Sequence, residues 1–387
     1  MSMDVRADPR FVTDALTRLI RVNSVNPAFT SGATNEAEVA RVAAVLLEAQ
    51  GFSVRRFEPQ PGRASVVGRL AGSGGGRSLM LYAHLDTVGV EGMTDPFAAT
   101  VKDGRLYGRG AYDMKNGFAA SLGAVKALRD AGVRLHGDLL IAGVADEEVA
   151  SLGMIDVLQH VHPDTAIVTE PTELALCLAH KGFAWLEIEV LGRAAHGSRF
   201  DLGVDANLAL GRILAAVADL EGEVRARRPH PLVGPPSLHV GLLKGGSGES
   251  TYAERAVATV ERRMLPGEPV ESVLAEIRAV AERVAPREAR VNVRLVLARE
   301  GFELPPQAGV ARAVRDAATV VLGAPPQEVG VAYWMDAALL AAAGVETAVI
   351  GATGAGAHAA EEWVDLQSVA QLAEILARAA HTVCGSA

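Results

Sequence analysis

The stretch SLMLYAHLDTVG, residues 78–89, decides how the chain is read. Residues 79–83 form an apolar run of the kind that a sheet interior takes on both faces. His84 and Asp86 arrive at its C-terminal end, where burial is costly unless each side chain finds a partner. Alone, the pair has a plain reading: a hydrogen-bonded core histidine followed by a turn-forming aspartate. The arrangement recurs, however. LLIAGVA (139–145) leads to Asp146, Glu147 and Glu148; TAIVT (165–169) leads to Glu170; TAVIG (347–351) leads through ATGAGA to His358. Sites in α/β sheets collect at the carboxyl ends of strands. Runs that each end in imidazole or carboxylate make one shared site the stronger reading. GRGAYDMKNG (108–117) adds Asp113 just before a helix start, where the alternative role is an N-cap.

Working outward, the early chain alternates helix and strand patterns. PRFVTDALTRLIRV (9–22), NEAEVARVAAVLLEAQG (35–51) and MKNGFAASLGAVKALRDAG (114–132) have helical spacing, with SVVGRLAG and SLMLYAH as strands between them. This predicts an α/β fold with a mixed sheet between helices. The middle changes character. FAWLEIEVLG alternates apolar and polar positions like a half-buried strand, a helix follows at 205–222, then two strands, a helix at 268–285 and a last strand at 290–300. The order β-α-β-β-α-β is the plan of a compact α+β, ferredoxin-like module. Helix and strand patterns resume after it. The expected organisation is a discontinuous domain over 1–180 and 301–387, with the module inserted at 181–300.

The chain has 387 residues and 49% hydrophobic content, enough for two packed domains. Its net charge of −9 argues against a general nucleic-acid surface. Two distant cysteines, Cys177 and Cys384, exclude a disulfide framework and a cysteine-based zinc site. The start, MSMDVRADPR, is charged and has no apolar leader pattern. The most apolar late stretch, AALLAAAGVETAVIGA, is interrupted by Gly344 and Glu346 and is too short to span a membrane. The expectation is a cytoplasmic enzyme with no nucleic-acid or membrane partner.

Histidines and carboxylates crowded in a dry cleft need compensating charge, and metal ions supply it. Imidazole plus carboxylate without thiolate suits zinc, cobalt or manganese better than calcium. A carboxylate shared by two metals about 3.5–4 Å apart gives a hydrolytic centre.

In this order and spacing, HLDTV, GRGAYDMKNG, DEE, TEPTE and GAHAAEEWV resemble the signatures of the M20 metallopeptidases. That clan includes acetylornithine deacetylases, succinyl-diaminopimelate desuccinylases, aminoacylases and carboxypeptidases. GRAAHGS and ERRMLPGE, in the inserted module, resemble its lid or dimerisation domain. The resemblance implies two divalent ions, with zinc foremost and cobalt or manganese as alternatives. His84, Asp113 and Glu170 would bind one ion, and Asp113, Glu148 and His358 the other, with Asp113 bridging. The peptide after Asp113 would be cis. Asp86 would orient the His84 imidazole, and Glu147 would be the general base toward a metal-bridging water. His196 would donate to the oxyanion of the tetrahedral intermediate, commonly in a partner subunit. Arg263 would meet the substrate carboxylate, whereas Arg262 alternates to the other strand face. GGSGESTYAE departs from the clan's GGxxxNxxP segment, placing Ser250 and Ala253 at the Asn and Pro positions. Ser250 is the shorter donor there. Asn116-Gly117 stands where many relatives have Gly-Gly.

The implied activity is hydrolysis of the amide bond of N-acyl amino acids by a homodimer joined through the inserted domain. A metallo-carboxypeptidase or dipeptidase with the same centre is the alternative. A catalytically silent binding protein is disfavoured, because no ligand or base position is substituted.

Overall fold

The computed structural model describes residues 5–30 and 34–385. Part of the charged start, residues 1–4, lies outside the described residues. The chain divides into two compact units: residues 5–178, 304–329 and 335–385 form the first, and residues 179–303 and 330–334 the second.

The first unit is built on a mixed sheet. Its strands lie in the order Ser53–Phe57, Ser65–Leu70, Leu139–Val144, Leu79–His84, Thr165–Val168, Glu346–Val349 and Leu176–His180, where the chain passes into the second unit. The first two form an antiparallel pair, and Ser65–Leu70 is antiparallel to Leu139–Val144. The four central strands, from Leu139–Val144 to Glu346–Val349, run parallel. Leu79–His84 and Leu139–Val144 are buried at every position, which explains their unbroken apolar runs. Because the central strands are parallel, their carboxyl ends share one edge. The mixed α/β fold read from the sequence is the one observed.

Helices cover the sheet. Lys115–Asp130 packs against Pro9–Ile20 and Leu366–Cys384. Gly123 lets them close: a Cβ there would lie 2.5 Å from Val12 Cγ2 and 3.1 Å from Ala373 Cβ. Asp8 caps Pro9–Ile20, accepting from the amides of Arg10 and Phe11 at 3.1 Å. Asp365 caps Leu366–Cys384 through the Ser368 amide at 2.7 Å. Cys177 and Cys384 are both buried.

A small second sheet matters for the site. Gly354–Ala355, Trp363–Asp365, Arg105–Tyr107 and Thr100–Lys102 pair in that order, antiparallel throughout. It fastens the loop carrying His358 to the segment leading into Asp113. Strands of two or three residues have too little periodicity to be seen in a sequence.

The second unit contains a four-stranded antiparallel sheet in the order Ser237–Gly245, Arg255–Met264, Gly182–Leu191, Arg290–Arg299. Helices Ala206–Arg225 and Val270–Val284 pack on it, and Leu186, Ile188, Leu210, Ile213, Val260 and Ile277 lie in its core. Burial alternates along Arg255–Met264, as the period of two requires. Arg262 falls on the buried face, where its guanidinium meets Glu268 and the Arg263 carbonyl. Arg263 falls on the opposite face and remains partly exposed.

Candidate metal centre

His84 closes its strand with its ring buried. Its Nδ1 lies 3.0 Å from the Asp86 carbonyl oxygen, so Nδ1 carries the donated proton and Nε2 faces the carboxylates. Nε2 stands 3.2 Å from Asp113 Oδ1 and 3.9 Å from Glu170 Oε1. Asp113 turns its other oxygen toward His358, with Oδ2 3.3 Å from Nε2. His358 Nε2 also lies 3.1 Å from Glu148 Oε2. Asp113 thus stands between two imidazoles, one oxygen toward each. Its N-cap alternative fails: Met114 occupies the cap position of Lys115–Asp130, and no side chain caps that helix. The Asp113–Met114 peptide is cis.

Among the described residues, two groups have ligand atoms all within 4.8 Å of one another: His84, Asp113 and Glu148, and His84, Glu147 and Glu170. Glu147 therefore sits as close to His84 and Glu170 as a ligand does. The distribution differs from the resemblance, which grouped Glu170 with Asp113 and left Glu147 outside both sets.

The charge balance fits bound cations. Burial, then repulsion from Glu170, pushes the Glu147 carboxyl well above its usual range. Burial, then Asp113, does the same to Glu170. Glu148 is raised by burial and by Asp113. Burial opposes a charge on His84, yet the hydrogen bond to Asp113 and the charges of Glu170 and Glu147 outweigh it and hold the imidazole well above its usual range. Hydrogen bonds to Asp113 and Glu148 raise His358 to about 10. Asp113 is lowered despite burial, by the two imidazoles. Glu170 Oε1 is buried without a hydrogen-bond partner among the described residues. Carboxylates forced together, with an orphaned buried oxygen and imidazole nitrogens aimed among them, are a donor set matched to divalent cations.

Asp86 reaches beyond His84. Its carboxylate is 3.7 Å from His84 Nδ1, and the ring is oriented by the backbone carbonyl instead. The Asp86 carboxylate accepts from the amides of Glu147 at 3.1 Å and Glu148 at 3.2 Å, and from Asn26 Nδ2 at 3.0 Å. A side chain two residues beyond His84 on a tight turn is better placed to serve the neighbouring strand's loop. Asn26 also donates to Asp146 Oδ1 at 2.8 Å, and Asp146 is held by Arg63, which pairs in turn with Glu36. Sequence reading gave Asn26, Arg63 and Glu36 no role, since a lone Asn before proline carries no spacing signal. Tyr82, on the central strand, donates to the buried Asp336 at 2.6 Å, and that pair was equally silent.

The other predicted residues belong to the second unit. His196 is exposed, with Nδ1 2.8 Å from Ser198 Oγ. The segments of His196 and Ser250 are neighbours: His196 bridges to Thr251, and the Gly197 amide donates to the Ser250 carbonyl at 2.7 Å. Ser250 is exposed as well. Arg263 pairs with Glu261 and lies 5.6 Å from the Phe183 ring centre.

Comparison with known proteins accords with this geometry. The chain is 31% identical over 352 residues to acetylornithine deacetylase of Myxococcus xanthus, covering 88% of this chain and 90% of that one. It is 30% identical over 254 residues to N-formyl-4-amino-5-aminomethyl-2-methylpyrimidine deformylase of Bacillus subtilis, covering 61% and 59%. Among solved structures, aminopeptidase PepT of Bacillus cereus superposes with a TM-score of 0.79 at 17% identity, over 97% of this chain and 99% of that one, a likeness of fold. The profile of Peptidase family M20/M25/M40 matches residues 80–382. With that match and a relative of nearly full length, the chain belongs to peptidase family M20/M25/M40 and is a metal-dependent hydrolase of that family.

Proposed function

We propose that the protein hydrolyses the amide bond of small N-acyl amino acids, releasing a carboxylic acid and a free amine. The observation that carries this is the Asp113 carboxylate set between His84 and His358, with the partly buried Glu147 close to His84 and Glu170. Asp113, His84, Glu148, Glu170 and His358 would hold two divalent cations, zinc foremost. When bound, these would polarise the scissile carbonyl and acidify the attacking water. Glu147 takes the proton from that water and delivers it to the departing amine. Asp86 keeps Glu147 and Glu148 in register through their amides. His196 donates to the developing oxyanion, and Arg263 and Ser250 meet the polar ends of the substrate.

In this reading, residues 1–180 and 301–387 form the catalytic domain and 181–300 a ferredoxin-like lid and dimerisation domain. The strand order and the two helices of the second unit support the module. Its edge strand Ser237–Gly245 exposes Leu242 and Leu243, at 61% and 62%, which supports a homodimer through that edge. The proposed setting is cytoplasmic. Among the described residues no helix is long and apolar enough to cross a membrane.

The test is amine release from N-acetyl, N-succinyl and N-formyl amino acids and simple dipeptides, using zinc-loaded protein. Turnover of one acyl class with dipeptides inert is expected. Cleavage of dipeptides alone would replace deacylation by peptidase action at the same centre, and silence across the panel would refute the substrate class.

A further inference from the structure

Arg109 and Glu362 form an ion pair buried beneath Asp113. Arg109 is 3% exposed and Glu362 1%. Glu362 Oε2 accepts from Arg109 Nη1 at 2.6 Å and the Gly110 amide at 3.0 Å. Its Oε1 accepts from the amides of Tyr112 at 2.8 Å and Asp113 at 3.0 Å. One carboxylate therefore gathers the backbone that turns into Asp113. Arg109 turns two further donors to two other loops. Nε donates to the Gly89 carbonyl at 2.9 Å, in the loop that follows His84 and Asp86, and Nη2 to the Ala359 carbonyl at 2.9 Å, next to His358.

Stability alone is a poor reason for such a pair. Two buried charges forfeit hydration, and apolar replacements of matching volume are often no less stable. What an apolar pair lacks is direction. This pair has a hydrogen bond to each of three loops, and those loops carry His84, Asp113 and His358. We propose that Arg109 and Glu362 are positioning residues that set the separation of Asp113 from His84 and His358, and so determine cation affinity. The inference rests on the reading of those three residues as cation ligands.

The test measures zinc affinity of the full chain, stripped with a chelator and titrated with zinc chloride, in wild type, Glu362→Gln, Arg109→Lys and His358→Ala. Glu362→Gln keeps the shape but turns one oxygen, an acceptor of two bonds, into a donor. Arg109→Lys keeps the charge but cannot reach Glu362, Gly89 and Ala359 together. Outer groups that orient ligands typically change metal affinity about 10–100-fold, and a loss in that range is expected for both variants. The visible spectrum of the cobalt-substituted protein reads ligand geometry separately from stability, and its bands are expected to shift. Should Glu362→Gln not fold, Arg109→Lys decides alone. Wild-type zinc affinity and an unchanged cobalt spectrum in a folded variant would overturn the clamp, even if its metal-free melting temperature had fallen. Unchanged zinc affinity in His358→Ala would instead overturn the ligand assignment.

Discussion

Asn26→Ala tests whether the turn bearing Glu147 and Glu148 is held by the buried network around Asp86. Asn26 is fully buried, and its amide nitrogen donates to Asp86 at 3.0 Å and to Asp146 at 2.8 Å. A hydrogen bond to a charged acceptor contributes about 1.5–3 kcal/mol, so deleting both removes about 3–6 kcal/mol. Asp146 keeps Arg63, and Asp86 keeps the amides of Glu147 and Glu148, which places the expected loss near the lower end, about 3 kcal/mol. Calorimetry on zinc-free protein reads it as a fall of about 6–12 °C in the transition of the first unit, at about 2–4 °C per kcal/mol for a body of this size. Asn26→Asp should be worse, because it adds a carboxylate against two that are already buried. A loss for Asn26→Ala below about 1 kcal/mol, close to that of an ordinary surface substitution, would refute the reasoning. So would an aspartate variant as stable as wild type.

Other outcomes follow from the same structure. Glu147→Gln should retain zinc yet lose about 10²–10⁴-fold in kcat, the usual contribution of a positioned base; full turnover would remove Glu147 from that role. Zinc at about 100 times its dissociation constant should stabilise the stripped protein by about 2.7 kcal/mol through binding to the folded state, and an unmoved melting temperature would deny a native-state site. Gly123→Val should cost about 1–3 kcal/mol by driving three helices apart, as read by urea unfolding; a neutral effect would mean the contact with Val12 and Ala373 yields freely. Paired Leu242→Glu and Leu243→Glu substitutions should give a monomer by light scattering, and a persistent dimer would move the interface elsewhere.

The central sheet was legible because its strands are buried on both faces, leaving apolar runs that end abruptly in charge. LMLYA before His84 and LLIAGVA before the glutamates are each a strand followed by its loop. The alternation in Arg255–Met264 also separated Arg262 from Arg263 before any contact was known. What escaped was geometry made by groups far apart in the chain. Asp86 was assigned to its near neighbour His84, and its carboxylate also accepts from the amides of residues 61 and 62 positions on. Glu362 stood in the quoted GAHAAEEWV without a role, since its work is to accept backbone amides, which leave no mark on sequence. The short strands that seat His358 were missed because TVK, RLY and WVD offer no period to detect.

The strand Glu346–Val349 lies between Thr165–Val168 and Leu176–His180, so a slot in the middle of the first unit's sheet is filled by chain made after all of residues 179–303. On the ribosome, residues 179–303 emerge with every strand of their own four-stranded sheet, while the unit that began first still lacks an interior strand, helix Leu366–Cys384 and His358. The segment translated second can be finished before the segment translated first. A nascent chain halted near residue 340 holds His84, Asp113, Glu147, Glu148 and Glu170 but not the second imidazole. Under the proposed ligand set, completion of the cation site waits for His358, and a product truncated before Glu346 lacks both that imidazole and an interior strand of the sheet.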